Sequence, residues 1–279
     1  PVLRIALAQM CSGIDPDENA GQLRSLIAQA RAGGAEMIYT PEMSGLLDRN
    51  RSRAAGVIQA EQEDSVLAAV CSEAKDQQIW VQLGSLAIKT SSDPEAKWVN
   101  RSYLINPSGQ IAARYDKIHL FDVDLGPEES QRESAAYARG QRAVVASLPE
   151  ATLGLSICYD LRFSALYQAL TNAGADILSI PAAFTVPTGK AHWEILLRAR
   201  AIEAGAFVVA AAQYGRHADG RATYGHSMVI DPWGEILLDM GEGTGLGFCD
   251  LDLDKIRDVR SRIPALANRQ SFEMPARSS

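Results

Sequence analysis

Apolar positions along this 279-residue chain fall into short runs broken by polar, turn-forming stretches, and the spacing inside each run assigns its element. Val2 to Met10 is nearly continuous apolar sequence with β-branched members, the pattern of a buried strand. Asp15-Pro16 then offers an N-cap and a first-turn proline, Leu23, Leu26, Ile27 and Ala30 recur at helical spacing, and Gly33-Gly34 ends the helix. Glu36 to Glu42 reads as a short strand closing at a proline. A helix over about 62–76 (Val66, Leu67, Val70, Cys71) and a strand from Ile79 to Ala87 make a second unit. The rhythm then changes to hairpins, 98–105 with 110–116 around Asn106-Pro-Ser-Gly109, and 143–147 with 152–157. Between them, residues 122–142 are polar and predict no regular element. Helix 163–173, strand 176–180, helix 191–204 and strand 207–212 follow. Strands 224–230 and 235–239 then pair around Asp231-Pro-Trp-Gly234, and strand 246–251 with a helix near 253–260 closes the pattern.

Strand–helix alternation mixed with hairpins predicts a layered α/β sandwich with mixed sheets rather than a purely parallel doubly wound sheet. No sequence repeat or linker interrupts residues 1–279, so one domain is expected. Composition narrows the function. Net charge is −7, and no Lys/Arg cluster along the sequence forms the basic patch of a nucleic-acid binder. No apolar run approaches a membrane span, and the first residues lack a signal-peptide pattern. Cys11, Cys71, Cys158 and Cys249 are far apart with no CxxC. Neither a zinc site nor a disulfide framework is expected, and a reducing cytoplasmic setting is.

Three apolar strands end in reactive side chains. Cys158 follows Gly-Leu-Ser-Ile and precedes the helical pattern of Leu166, Ala169 and Leu170, which places it at a strand-to-helix elbow. Free N–H groups at such a turn favour negative charge, so a depressed thiol pKa is expected there, with the Tyr159 N–H available to an oxyanion. The alternative is a buried structural cysteine. Glu42 follows Met-Ile-Tyr-Thr-Pro, and Lys117 follows Ala-Arg-Tyr-Asp; alone, each would be a solvated rim residue. Together the three residue types suit hydrolysis of an amide C–N bond: a thiol nucleophile, a carboxylate base and a fixed positive charge.

At these residues the chain resembles the nitrilase, or carbon–nitrogen hydrolase, superfamily. Thr-Pro-Glu42-Met, Tyr-Asp-Lys117-Ile-His-Leu-Phe and Ser-Ile-Cys158-Tyr-Asp-Leu-Arg-Phe match its glutamate, lysine and cysteine motifs. Segments 189–203 and 225–234 are similar to further family segments, in the family's order. The resemblance implies a four-layer αββα sandwich, cofactor-free and metal-free Glu–Lys–Cys catalysis through a thioester, and a homodimer with the 263–279 tail at its interface. It also implies a second glutamate. Glu133, in Arg-Glu-Ser, matches that motif, although Arg139 stands where the family often has proline, and Glu128 and Glu129 compete for the role.

Within the superfamily the likeness is closest to the branch of deaminated glutathione amidases and ω-amidases. Ala210 to His217 is more similar to the former, and the loop after Glu42 lacks the Asn-Ser-Pro-Tyr of the latter. Lys190 and Phe184-Thr-Val-Pro depart from both. The substrate implied is a small carboxylate-bearing amide, with short ω-amides as the alternative and an idle interaction protein of the same fold as a second. Arg162 is the expected carboxylate receiver, since a guanidinium binds a carboxylate bidentately. Phe184 would wall the pocket and Thr188 assist. The glycines of 241–247 precede a strand and read as turns, not a nucleotide loop. His119, His192, His217 and His226 lack metal-ligand spacing. Cys11, Cys71 and Cys249 are expected in the core, and Glu194 and Glu203 in ion pairs with Arg198 or Arg200.

Overall fold

Two six-stranded mixed sheets face each other in the computed structural model, which describes residues 1–127 and 130–277. In chain order the elements of the first half are β1 (Val2–Gln9), α1 (Pro16–Ala32), β2 (Met37–Tyr39), α2 (Arg51–Ala55), α3 (Ser65–Gln77), β3 (Trp80–Ile88), β4 (Val99–Ile105) and β5 (Ile111–Asp116). A short ladder of β6 (Asp122–Val123) and β7 (Gln131–Arg132) follows. The second half holds β8 (Val145–Ser147), β9 (Thr152–Leu155), α4 (Ser164–Asn172), β10 (Ile177–Ser179), α5 (Val186–Thr188), α6 (Glu194–Ala204) and β11 (Phe207–Ala210). It ends with β12 (Tyr214–Arg216), β13 (Ala222–Tyr224), β14 (Met228–Ile230), β15 (Ile236–Asp239), β16 (Gly245–Asp252) and α7 (Asp254–Arg262).

One sheet runs β16-β1-β2-β3-β4-β5 and the other β15-β14-β11-β10-β9-β8. Alternation in β1 sorts the layers. Ile5 and Leu7 join the core shared with Leu153, Leu155 and Ile157 of the second sheet, whereas Ala6 and Ala8 pack with Leu23 and Ile27 of α1 and Val70 of α3. The helices therefore lie outside and the sheets inside, the αββα order. The Asp15 cap and the Gly33 stop hold as the sequence predicted, with Asp15 accepting from the Asp17 N–H. No helix among the described residues is long and apolar enough to cross a membrane.

Three expectations need correction. Within 122–142, where no regular element was expected, Asp122 pairs with Arg132 in the β6–β7 ladder and its carboxylate accepts from the Ser134 N–H and hydroxyl. Polar side chains, not apolar periodicity, build that segment. The strand expected over 224–230 is split: Gly225 (φ 73°) and His226 (φ 55°) turn the chain, so Tyr224 ends β13 and Met228 begins β14. Cys11, Cys71 and Cys249 are half-buried rather than core residues, although Cys71 in α3 and Cys249 in β16 pack against the core. The ion pairs Glu194–Arg198 (3.8 Å) and Arg200–Glu203 (3.0 Å) are present as expected.

Candidate active site

The ends of both sheets meet at one cavity of about 640 Å³, and the chemistry sits on its floor. Glu42 comes from the turn after β2. That turn packs so closely on β3 that a Cβ at Gly84 would run into the Thr40 and Pro41 carbonyls. Met43, next in the chain, is forced to φ 55°. Gln213 secures the turn from the other half of the molecule, donating Nε2–H to the Glu42 carbonyl at 3.0 Å and to Ser12 Oγ at 2.8 Å.

Lys117 leaves the end of β5 and is almost wholly buried. Its Nζ reaches Glu42 Oε2 at 2.9 Å and Glu133 Oε1 at 3.0 Å. Glu133 itself is aimed by the Phe121 N–H at 2.9 Å. Burial alone would lower the ammonium's pKa, but the two carboxylates outweigh it and hold Lys117 well above its ordinary value, as a cation. Gly140 backs this residue, since a Cβ there would strike the Asp116 carbonyl and its N–H bonds the Lys117 carbonyl at 2.8 Å. Glu133 is thus brought to Lys117 opposite Glu42. Glu128 and Glu129 lie outside the described residues.

Cys158 follows β9 in a left-handed conformation, φ 48°, at the first position of a 3-10 turn, Cys158–Arg162. A non-glycine residue is strained there, so the surrounding bonds must impose it. The Cys158 N–H donates to the Pro181 carbonyl at 2.8 Å. Two residues on, fully buried Asp160 accepts from the Ile157 N–H (2.9 Å), the Tyr115 hydroxyl (2.6 Å) and the His119 N–H (3.1 Å), and pairs with His119 Nδ1 (2.7 Å). Asp160 thereby clasps the cysteine segment to the lysine segment. His119 stacks on Phe163 at 3.7 Å, stiffening the same joint. As at the start of any helical turn, the Tyr159 N–H has no partner within the turn.

The expected depressed thiol is not found. Burial first, and then the Glu42 charge, push Cys158 well above its ordinary value; Lys117 and the Ala183 N–H pull the other way with less effect. The resting sulfur is therefore a thiol beside a carboxylate. Such a pair can generate a nucleophile by handing the proton over during attack, without a standing thiolate.

Arg162, Phe184 and Thr188 all line the cavity, and the Arg162 guanidinium lies 5.7 Å over the Phe184 ring. It has a polar contact to His192 Nδ1 (3.2 Å) and no ion pair among the described residues. Lys190 is exposed and outside the lining. One site residue was missed. Asn100, from β4, donates Nδ2–H to Glu42 Oε2 (3.0 Å) and more weakly to Glu133 Oε2 (3.4 Å), bridging both carboxylates. A lone asparagine in the otherwise apolar-leaning Trp98–Ile105 strand was the only signal. Among the described residues, no group of three or more His, Cys, Asp or Glu could hold a metal ion.

A buried thiol at a strained elbow, faced by a carboxylate and a locked ammonium between two sheets, is the equipment of a thiol-dependent hydrolase. The chain belongs to the carbon–nitrogen hydrolase family, whose model matches residues 4–261. Similar proteins include the deaminated glutathione amidase of Synechocystis sp., 40% identical over 275 residues, covering 96% of this chain and 98% of that protein. That of Yersinia enterocolitica is 38% identical over 267 residues, 95% of this chain and 92% of that one. The solved NitFhit protein of C. elegans matches 96% of this chain with a TM-score of 0.89 and 36% identity, and this chain spans 65% of its length.

Proposed function

We propose that this protein is a deaminated glutathione amidase, acting through Cys158, Glu42 and Lys117. The observation that carries the reading is the Glu42–Lys117–Glu133 cluster, locked at 2.9 and 3.0 Å beside the thiol. Glu42 takes the thiol proton as the sulfur attacks the amide carbon. Lys117 Nζ and the Tyr159 N–H receive the charge that develops on the carbonyl oxygen. Collapse breaks the C–N bond, Glu42 returns the proton to the departing nitrogen, and a thioester remains. Glu42 then draws a proton from water, which attacks the thioester and restores the thiol with release of the acid. Glu133 holds Lys117 and orients the substrate. Arg162 receives a substrate carboxylate, with Thr188 beside it and Phe184 as the wall.

The working form we infer is a cytoplasmic homodimer of a single carbon–nitrogen hydrolase domain, 1–279. Ile195 (69% exposed) and Ile202 (55%) on α6, with Trp233 on the β14–β15 turn, leave an apolar surface open, and Phe272 in the tail is 86% exposed. These support an interface along α6 and residues 263–279.

Ammonia and amine release from an amide panel, with wild type beside Cys158→Ala, tests the function. The panel holds deaminated glutathione, α-ketoglutaramate, succinamate, an N-carbamoyl amino acid and a simple nitrile. Turnover of deaminated glutathione above the rest, lost by at least ~10⁴-fold in the variant, is the expected result. Preference for the short amides makes it an ω-amidase. Full activity in the variant sinks the mechanism, and a Cys158 no more reactive than a model thiol, with no turnover, favours an idle interaction protein.

A further inference from the structure

The cavity reverses the charge of the protein that surrounds it. The whole chain has 27 basic and 34 acidic residues, but among the described residues the cavity lining has seven basic side chains against three carboxylates. All three carboxylates are already engaged. Glu42 and Glu133 hold Lys117, and Asp48 is gripped by both edges of the Arg53 guanidinium at 2.6 and 2.8 Å. The surplus is arginine, and only Arg162 stands on the Cys158 turn.

Three of the others gather from distant parts of the sequence around one turn. Arg216 ends β12, Arg221 precedes β13, and Arg49 arrives from the loop before α2. The Arg49 guanidinium lies over Gly220, where an added Cβ would come within 2.6 Å of Nη2. Arg216 Nη1 donates to the Gly220 carbonyl at 3.4 Å. Asp219, the carboxylate at this turn among the described residues, is spent on scaffolding. It accepts from the backbone N–H groups of Arg49 and Arg221, both at 2.9 Å, and pairs with the Arg221 side chain at 3.1 Å. Arg49 and Arg216 make no ion pair among the described residues. The turn is also rigidly seated. His217 is buried with Nδ1 against the Ser12 carbonyl (2.8 Å) and Nε2 against Thr223 Oγ1 (2.7 Å). The Tyr224 N–H ties β13 to the Phe184 carbonyl at 3.0 Å, beside the Arg162 pocket. Three guanidinium groups gathered around a single carboxylate, on the wall of a cavity, leave positive charge for a bound anion. The volume of about 640 Å³ falls within the range for ligands larger than a short ω-amide.

We propose that Arg49, Arg216 and Arg221 form a second carboxylate-binding end of the Cys158 cavity, so that the preferred substrate carries an acid group on each side of the scissile amide. The proposal rests on the amidase reading, with Arg162 taking the acyl-side carboxylate and the hairpin cluster the carboxylate of the leaving amine.

N-succinylglycine, its neutralised partner N-succinylglycinamide, and succinamate separate the two readings. Binding of the first two to the Cys158→Ala protein is measured by calorimetry, and kcat/KM of all three with the intact thiol. Arg49→Gln with Arg216→Gln is the variant of choice, since both side chains are exposed and Arg221 is needed to pair Asp219; its melting temperature reports on folding. The diacid should bind at least about tenfold tighter than the glycinamide, and the double variant should reduce that ratio to about two or less. The loss in kcat/KM should fall on the diacid about tenfold more heavily than on succinamate, through KM. Equal affinity for the two glycine derivatives, no detectable binding of either, or an unchanged ratio in the variant overturns the proposal. Cys158-dependent turnover of succinamate with no diacid preference overturns it alone. Diacid preference in binding, with no turnover of any amide, overturns the amidase reading and leaves the second anion end in place.

Discussion

The two halves of this protein are built on one frame and equipped differently. From β16 through β1, β2, β3 and β4 to β5, neighbouring strands pair antiparallel, parallel, parallel, antiparallel, antiparallel. From β8 through β9, β10, β11 and β14 to β15 the same series recurs. α1 and α3 cross over in the first half where α4 and α6 do in the second. On this correspondence, Cys11 past the end of β1 matches Cys158 past the end of β9. Yet Cys11 is half-buried, with its sulfur on the Arg216 carbonyl at 3.4 Å and 3.7 Å from His217 Nδ1, and among the described residues no carboxylate–ammonium pair lies beside it. The first half instead spends its strand ends on Glu42 and Lys117. Each half alone is chemically incomplete, and the face-to-face packing of the sheets joins the thiol to its proposed base. A strand end supplies a position, and the opposite sheet decides what a side chain there can do.

The strongest test of this division removes the cation. Lys117→Met should lower kcat by about 10²–10³-fold, as loss of an oxyanion donor does, and cost about 3 kcal/mol of stability by leaving two buried carboxylates facing each other. Turnover assays and thermal melting read the two effects, and a stable variant with near-normal kcat would show that the first half is mere scaffold. A smaller effect is expected at Asn100. Asn100→Ala removes a donor shared by Glu42 and Glu133 and should slow turnover about tenfold, whereas Asn100→Asp, which adds a third carboxylate, should lose more. Equal losses in the two variants would mean that Asn100 only fills space.

The finest test compares the two corresponding thiols by pH. Burial raises both above the ordinary value, helped by Glu42 at Cys158 and by Asp219 at Cys11, and the rise is greater at Cys158. Unfolded thiols give up their protons at lower pH than these do. The stabilisation each provides is therefore complete below the ordinary thiol pKa and is lost as pH rises past it, by at most about 1.4 kcal/mol per pH unit. Melting temperatures between pH 8 and 10 should fall less steeply in Cys158→Ala than in wild type, with Cys11→Ala in between and fully active. A Cys11→Ala variant without activity would break the comparison outright.

Much of this was legible in the chain. Strands such as Val2 to Met10 and helices such as the one capped by Asp15 announce themselves because apolar spacing and capping act between near neighbours. Glu42, Lys117 and Cys158 stood out for the same local reason, as reactive residues ending apolar runs. The segment around Glu133 did not, because Asp122, Ser134 and Phe121 hold it by polar bonds that leave no periodic trace. Arg49, Arg216 and Arg221 gave no sign of a cluster, since linear sequence separates Arg49 from the others and only the hairpin brings them to one turn.

By itself, then, the sequence determined the elements, the layered class and the three reactive strand ends, all set by interactions within a few residues. The tertiary structure decided the protonation of Cys158, the role of Asn100 as a bridge, the approach of Glu133 to Lys117 and the gathering of arginines. Those depend on burial and on groups brought together from distant points of the chain, and Coulomb energies between groups about 3 Å apart exist only once the fold has joined them.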